Sequence, residues 1–239
     1  MSYKVVEDTS KNIIYKVLRR SIIMGHRQPG ERFDVEKLAI TYNTSVTPVR
    51  DALQMLSQED LVTIKPRSGY FVARITLKQL RDMLEARRIL ELASIEKAAL
   101  RITPEQIAEL RSVHAGYTGD DDESYDRYTD ENRNFHYHLA LASGNQELAD
   151  ILGHLHDRLA RFMVLRRAGK SQEITHKRII DALEVNDVET ARRALLEDID
   201  TSREAILDHL MQEEADSWQL AYRKKSPARS IATAGKGQR

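Results

Sequence analysis

The sequence predicts a mainly α protein with two domains: three short helices and a β-hairpin, followed by a larger bundle of helices. Three observations support this prediction. At 239 residues the chain is long enough for two hydrophobic cores. Apolar residues alternate as in strands between residues 61 and 73, whereas helical periodicity covers most of the remaining chain. Charge is also distributed unevenly between the two parts.

The formal net charge of zero conceals this asymmetry. Residues 1–75 contain 12 Lys and Arg against 8 Asp and Glu, residues 76–215 contain 19 against 28, and residues 216–239 contain 6 against 1. A basic domain attracts the phosphates of a nucleic acid, whereas an acidic domain is repelled by them. The first domain, residues 1–75, is therefore the candidate for binding a polyanion.

Composition excludes several other classes of protein. No apolar run approaches the roughly 18 residues that span a membrane, and the amino terminus lacks the apolar stretch of a secretory signal. The chain has no cysteine, so a bound metal would need nitrogen and oxygen ligands. We expect a cytoplasmic protein without a membrane partner.

The first domain begins with an amphipathic helix from about Thr9 to Met24. Its apolar residues recur at helical spacing, and Gly25 ends the run. A Pro-Gly turn follows, after which Asp34 is placed to cap a short second helix that ends near Asn43.

A third helix, which Ser45 or Thr47 can cap, has two distinct faces. The apolar face, expected in the core, consists of Val49, Leu53 and Leu56. The outer face consists of Val46, Thr47, Arg50 and Gln54.

After Leu61 the apolar period changes from helical to alternating, which predicts two strands. Between them, residues 65–69 (KPRSG) form a hairpin turn with a basic tip. Three short helices followed by such a hairpin are typical of a winged helix, whose third helix enters the major groove of DNA.

The stretch PGERFDVEKLAITYNTSVTPVRDALQMLSQEDLVTIKPRSGYFVA resembles the GntR-type winged helix. The likeness rests on the Pro-Gly turn, the capped second helix, the recognition helix TPVRDAL and the wing PRSGYFV. It implies that double-stranded DNA is bound by Ser45, Val46, Thr47, Arg50, Arg67 and Gly69. Where the family usually has an arginine this chain has Val46, which offers an apolar contact to a thymine methyl group.

Arg50 is the leading candidate for a DNA contact, because the first turn of a recognition helix reaches base edges and phosphates. A solvated arginine or an intrahelical ion pair is the alternative. Arg67 and Gly69 are placed at the wing tip, where a residue without a side chain permits close approach to DNA. An ordinary hairpin turn is the alternative for these two.

Residues 76–213 show no strand pattern and are expected to form an antiparallel bundle of helices. The expected helices are 77–100, 104–115, 124–143, 146–168, 172–184 and 188–213. Residues 214–239 are basic and rich in small polar residues, which predicts a disordered tail.

The bundle resembles the FCD domain, which is the ligand-binding domain of the FadR branch of the GntR superfamily. The likeness rests on the segments LEARRILELASIEKAA, ENRNFHYHLALASGN and THKRIIDALEVNDVETARRALLEDI. Six helices indicate the VanR-like subgroup. The resemblance implies a homodimer that binds a small organic acid, often beside a divalent metal ion.

The family's metal ligands are an Asp-x3-His pair and two further histidines, which fall on Asn132, His136, His176 and Asp198 of this chain. An amide thus replaces the aspartate and a carboxylate replaces the last histidine. Two imidazoles and one carboxylate suit zinc, our first expectation, and also nickel, iron or manganese. Alternatively, His136 and His176 bind the effector carboxylate without a metal.

Arg87 is a further candidate for effector binding, because a guanidinium binds a carboxylate through two parallel hydrogen bonds. An exposed ion pair with Glu91 is the alternative. His138, His154 and His156 do not fall on the family's ligand positions, and we interpret them as surface or packing residues.

Together the resemblances imply a ligand-responsive repressor that binds a palindromic operator as a homodimer and is released or reoriented by its effector. One alternative is a metal-dependent enzyme in which a water bound at His136, His176 and Asp198 attacks a substrate. Another is a nonspecific architectural DNA-binding protein, which would not require a ligand pocket. No nucleophile motif or separate general base accompanies these ligands, so the sequence favours a regulator that is not an enzyme.

Overall fold

The computed structural model describes residues 9–113, 122–166 and 170–225, which form nine helices and one three-stranded sheet. Residues 9–75, here called the head, contain α1 (Ser10–Ile23), β1 (Arg32–Phe33), α2 (Val35–Thr41), α3 (Val46–Gln58), β2 (Val62–Lys65) and β3 (Gly69–Val72). The described residues from 76 onwards, here called the body, contain α4 (Leu77–Ala98), α5 (Pro104–Ser112), α6 (Asp122–Ala142), α7 (Gln146–Arg166), α8 (Lys170–Glu184) and α9 (Val188–Lys225). The predicted mainly α fold is confirmed.

The sheet of the head has one strand more than the sequence predicted. β2 and β3 form the expected hairpin, and β1 pairs antiparallel with the other edge of β3, with Arg32 opposite Phe71. A strand of two residues is too short to show an alternating pattern, which is why the sequence did not reveal it. Asp34, which follows β1, accepts a hydrogen bond from the backbone N–H of Lys37 at 2.9 Å and caps α2 as predicted.

The core of the head forms between α1 and α3. Ile14 and Leu18 of α1 pack in one cluster with Leu53 and Leu56 of α3, so the predicted apolar face of the third helix is buried. Val46 was expected on the outer face, but it is partly buried and packs against this cluster. The first turn of α3 lies close enough to the core to cover a valine side chain.

The core of the body contains two large apolar clusters with polar residues between them, and a smaller cluster around Leu152. Ile95 of α4 and Ile199 of α9 belong to one cluster, and Leu84 of α4 belongs to the other. On α4, Arg87 and Glu91 lie between the two clusters and are buried. This arrangement requires partners for their charges inside the bundle, because an unpaired buried charge is strongly destabilising.

The last helix is longer than predicted. The sequence assigned residues 214–239 to a disordered tail, but α9 continues to Lys225. No glycine or proline interrupts the chain from Gln212 until Pro227, so nothing in this segment breaks a helix. Residues 226–239 lie outside the described residues. No helix in the described ranges is long and apolar enough to cross a membrane.

The head packs against the body through α1 and α7. Ile23 of α1 is buried against Ala160 and Val164 of α7. Beside this contact, Arg161 of α7 donates a hydrogen bond to the carbonyl oxygen of Ala73 at 2.9 Å. Apolar and polar contacts therefore both join the two parts.

A partly buried arginine completes the contact between head and body. Arg19 of α1 donates to Asp130 of α6 at 2.7 Å, and its other terminal nitrogen lies 3.4 Å from Asp157 of α7. The same guanidinium pairs within the head with Glu59, which follows α3. Arg19 thus connects the end of the recognition helix to two helices of the body.

Candidate functional site

Three of the six predicted DNA-binding residues, Arg50, Arg67 and Gly69, line one cleft of the head. Thr47 and Arg50 are exposed on α3, and Ser45 is the residue that precedes its first turn. Arg67 lies in the turn between β2 and β3, and Gly69 is the first residue of β3, with φ angles of 61° and 106°. The positive φ of Gly69 favours glycine, because other residues are strained in that conformation.

The centre of the body contains a buried ion pair. Arg87 is 0% exposed, and its Nε donates to Oε1 of Glu91 at 2.7 Å. Its Nη2 lies 3.2 Å from Nε2 of His136 and 3.5 Å from Oδ2 of Asp198. Arg87 therefore projects into the bundle, and its pair with Glu91 is buried rather than exposed.

Three imidazoles surround this ion pair. His136 of α6 and His156 of α7 stack with their ring centroids 4.6 Å apart, and His176 of α8 stacks on Phe135 at 3.8 Å. Nε2 of His136 and Nε2 of His176 lie 3.7 Å and 3.9 Å from the same Oδ2 of Asp198 on α9. Helices α6, α8 and α9 thus each direct one side chain to a common point.

Glu91 contacts the rings of His156 and His136, one with each of its carboxylate oxygens. Its Oε1 accepts a hydrogen bond from Nε2 of His156 at 2.7 Å, and its Oε2 lies 3.0 Å from Nδ1 of His136. With a carboxylate at Nδ1, Nε2 of His136 is the nitrogen with a lone pair, and it accepts a hydrogen bond from Nη2 of Arg87 at 3.2 Å. We call the six residues of this cluster the polar layer: Arg87, Glu91, His136, His156, His176 and Asp198.

Electrostatics fixes the protonation of several members of the polar layer. Burial alone would raise the pKa of Glu91, but Arg87, His136 and the hydrogen bond from His156 outweigh burial and hold that pKa well below its usual range. Burial lowers the pKa of His156 to about 3 despite its hydrogen bond to Glu91. Burial likewise opposes the charge of Arg87, but Glu91 and Asp198 raise its pKa. At neutral pH, Glu91 and Arg87 are therefore charged and His156 is neutral.

Family comparison assigns both parts of the chain. Residues 11–72 match the model of the bacterial regulatory proteins of the gntR family, and residues 82–201 match the FCD domain. The chain belongs to the GntR family and carries an FCD domain. The FadR-like branch agrees with this domain, whereas the VanR-like subgroup stays a prediction.

Curated relatives of this GntR protein are named as regulators. An HTH-type transcriptional regulator in an unstable DNA locus of Streptomyces ambofaciens is 30% identical over 192 residues, which are 78% of this chain and 80% of the relative. The HTH-type transcriptional repressor RspR of Escherichia coli is 28% identical over 76% of this chain and 82% of its own. The family and these relatives are transcriptional regulators and not enzymes.

Solved structures show the same fold. Escherichia coli McbR/YncC superposes with a TM-score of 0.65 at 22% identity and covers 86% of this chain and 99% of its own. A GntR-type transcriptional regulator from a Rhodococcus species gives a TM-score of 0.64 at 20% identity, covering 83% and 97%. The GntR head followed by the helical FCD domain is therefore a shared architecture.

The FCD domain brings together three of the four predicted metal ligands. One ligand atom each of His136, His176 and Asp198 lies within 4.8 Å of the others, and all three residues are buried. Asn132 is also buried and lies one helical turn before His136, which places it on the same face of α6. Arg87, the predicted effector residue, contacts this group directly.

The sequence did not assign two members of the polar layer, Glu91 and His156, to the site. His156 was interpreted as a surface or packing residue, but it is 2% exposed and bonded to Glu91. The sequence held a signal, since His156 is four residues after Leu152 and three before Leu159, both fully buried. A histidine on the apolar face of a helix needs a buried polar partner. His138 is partly exposed and His154 is exposed, as expected.

The spacing of the three ligand atoms fits a divalent metal, which would replace the contacts that Nη2 of Arg87 makes with Nε2 of His136 and Oδ2 of Asp198. Ligands at about 2.1 Å from a tetrahedral ion lie about 3.4 Å apart, close to the 3.7 and 3.9 Å found from Asp198 to His136 and His176. Two imidazoles and a carboxylate suit zinc in particular. A second group of Glu91, His136 and His156 is less suitable, because the 2.7 Å between Glu91 and His156 is a hydrogen-bond length.

Proposed function

We propose that this GntR regulator is a cytoplasmic repressor that binds a palindromic operator as a homodimer and responds to a small organic acid. The names of two relatives support repression, since RspR and GlaR of Escherichia coli are both called transcriptional repressors. A dimer with a two-fold axis presents two recognition helices to two half-sites, which accounts for the palindrome.

The polar layer is the observation that carries the proposal of an effector site. With neutral imidazoles its formal charges are one positive from Arg87 and two negative from Glu91 and Asp198, which leave one negative charge. A divalent cation would reverse this sign and leave one positive charge, which a monocarboxylate neutralises. Buried charges are stable only when they are paired, so the layer is suited to a metal and an acid together.

In this proposal His136, His176 and Asp198 hold the metal, and the amide oxygen of Asn132 is available as a fourth ligand. The metal supplies positive charge for a carboxylate of the effector. Glu91 keeps the imidazole of His136 oriented through Nδ1. A metal on His136 and Asp198 would release Nη2 of Arg87 from both residues, and this nitrogen would then bind the effector carboxylate.

Effector binding could change DNA binding because two helices contact both the polar layer and the head. α6 and α7 provide His136 and His156 to the polar layer, and the same helices contact Arg19 of the head through Asp130 and Asp157. A displacement of either helix on effector binding would therefore move the head. Two heads at altered spacing no longer fit two half-sites.

Elemental analysis of protein purified without chelators tests the metal. We expect about one zinc or other divalent ion per chain in the wild type, and none in His136→Ala or His176→Ala. His154→Ala is the matched control, because His154 is exposed and outside the polar layer. Absence of stoichiometric metal from the wild type, or retention by both variants, contradicts the metal site.

Mass spectrometry of the small molecules that co-purify tests the effector. Operator sequences selected from a random oligonucleotide pool then provide the DNA for binding assays with and without that molecule. We expect a palindromic consensus and weaker binding in the presence of a carboxylate. Binding that no co-purified acid alters would contradict the proposed regulation.

A further inference from the structure

A cleft of about 480 Å³ lies between β1, the start of α3 and the turn of the wing. Three arginines from these three elements line it together with residues of the wing: Arg32, Arg50, Arg67, Ser68, Gly69 and Tyr70. Only Arg50 and Arg67 belong to the residues expected to contact DNA. Arg32 comes from the short strand that the sequence did not reveal.

The side chain of Arg32 lies beside Gly69. A Cβ atom on Gly69 would lie 3.5 Å from Nε and 3.7 Å from Nη2 of Arg32, so the guanidinium passes directly beside the backbone of the wing tip. β1 holds this side chain on the outer side of the sheet, because its neighbour Phe33 is buried in the core of the head. The guanidinium is therefore held next to the turn that carries Arg67.

Charge in the cleft is not neutralised by ion pairs. Within the ranges that the structure describes, no carboxylate lies within ion-pairing distance of Arg32, Arg50 or Arg67. Asp34 and Glu36 also line the cleft, but the carboxylate of Asp34 already caps α2. Three guanidinium groups against two carboxylates leave an excess positive charge at the edge of the recognition helix.

We infer that this cleft binds a phosphate of the DNA backbone and that Arg32 is a phosphate-contacting residue of the head. The inference rests on the proposed DNA binding and adds a residue outside the recognition helix and the wing turn. A phosphate fits the cleft chemically, because guanidinium groups bind its oxygens through paired, charge-assisted hydrogen bonds. A base edge fits less well, since bases are read from the recognition helix itself.

A phosphate contact has a signature that does not require the operator to be known. Each phosphate neutralised by a cationic side chain contributes about 0.9 to the slope of log affinity against log salt concentration. Fluorescence anisotropy with a labelled duplex of random sequence measures this slope. The assay compares the wild type with Arg32→Gln, Arg32→Lys and the control Arg203→Gln, which removes the same charge from an exposed position on α9.

We expect Arg32→Gln to lower the slope by about 0.9 for each head that engages the duplex, and to weaken binding at about 0.1 M salt by about 8-fold per contact. Arg32→Lys should keep the slope of the wild type, and Arg203→Gln should do the same. A purely structural role for Arg32 would not be rescued by lysine in this way.

Two outcomes overturn the inference separately. If the wild type binds the duplex and Arg32→Gln has the same salt slope, Arg32 contacts no phosphate although the protein binds DNA. If Arg32→Gln and Arg32→Lys lose the same amount of slope, the side chain acts through the shape of the wing and not through its charge. A wild type that binds neither this duplex nor selected DNA instead overturns the proposed function itself.

Discussion

At the predicted metal site Asn132 stands where the family has an aspartate, and Asp198 stands where the family has a histidine, so the carboxylate lies on α9 instead of α6. Asp198 is the only carboxylate in the group with His136 and His176, whereas Asn132 carries no charge. We therefore predict that Asp198→Ala lowers zinc affinity by at least about 100-fold, well beyond the effect of Asn132→Ala. Calorimetric titration of metal-free protein with zinc measures both.

In the presence of zinc, Asp198→Ala should also lower the free energy of unfolding more than Asn132→Ala does. Zinc at about 100 times its dissociation constant adds about 2.7 kcal/mol to the free energy of unfolding, and Asp198→Ala should lose this gain. Asn132→Asp should tighten zinc but weaken an anionic effector, because it adds negative charge beside the pocket. Wild-type zinc affinity in Asp198→Ala together with a loss in Asn132→Ala would show that the carboxylate role is wrongly assigned.

His156 predicts a pH dependence whose sign follows from its lowered pKa. The unfolded chain binds a proton below a pKa of 6.5, whereas the folded His156 stays neutral until about pH 3. Stability contributed by neutral His156 is therefore complete above pH 6.5 and is lost as the pH falls. Between pH 6.5 and about pH 5 the loss should be about 1.5 kcal/mol.

Urea denaturation of chelator-treated protein over this pH range measures the effect. The variant His156→Gln should lose about 1.5 kcal/mol less than the wild type over the interval, since glutamine does not titrate. His154→Gln, which changes an exposed histidine, should follow the wild type. Parallel curves for the wild type and His156→Gln would contradict the assignment of a neutral buried imidazole.

The sequence predicted part of the site because part of it follows from spacing. His136, His176 and Asp198 could be placed by motif and helix register, and the structure brings them together. The roles of Glu91 and His156 could not be obtained in this way, because they depend on which faces of α4 and α7 meet in the bundle. Packing between elements is not encoded in the period of either helix alone.

At the scale of elements, α1 is both a core helix and the connection to the body. Arg19 has a side chain that is 12% exposed and forms ion pairs with Glu59, Asp130 and Asp157. Arg19→Met keeps most of the apolar stem but leaves Glu59 and Asp157 partly buried with fewer partners. We predict a loss of about 1–3 kcal/mol in the free energy of unfolding.

The matched control for Arg19→Met is Lys78→Met. Lys78 and Asp82 form an exposed ion pair on α4, with 83% and 57% of their side chains exposed, so this substitution should leave the free energy of unfolding close to that of the wild type. Urea denaturation monitored by circular dichroism measures both variants. Equal losses would show that the Arg19 contacts do not hold the head on the body.

The sequence predicted helices well where an apolar face repeats over several turns. It failed for a strand of two residues and for the polar end of a helix. The helices of the body appear close to their predicted positions because their apolar faces extend over several turns. β1 was missed because Arg32 and Phe33 form too short a pattern, and the end of α9 was missed because a polar segment does not by itself end a helix.

At the scale of the whole molecule, the position of the head on the body could not be derived from the sequence. The contact between Arg19 and Asp157 joins residues that are 138 positions apart, and neither residue lies in a recognisable motif. Both are charged residues that a sequence pattern assigns to a solvated surface. Only the folded chain shows that they meet at an interface.

The proposed homodimer makes a prediction for the whole molecule. Analytical ultracentrifugation should give about twice the chain mass of 27.4 kDa at micromolar concentration, both for the wild type and for Arg32→Gln. Selected operators should then contain two half-sites about one turn of DNA, or a multiple of it, apart. A monomer that binds a single half-site with full affinity would contradict both statements.

The polar layer also fixes the longitudinal position of α9 against its neighbours. A slide of α9 by one helical turn would place Ala194 or Ser202 where Asp198 now faces Arg87 and His176. Neither residue carries a charge, so the buried guanidinium would lose one of its two carboxylates. Apolar side chains on either side would accept such a slide more readily, because one aliphatic contact resembles the next. The buried ions therefore select a single register for the longest helix of the protein.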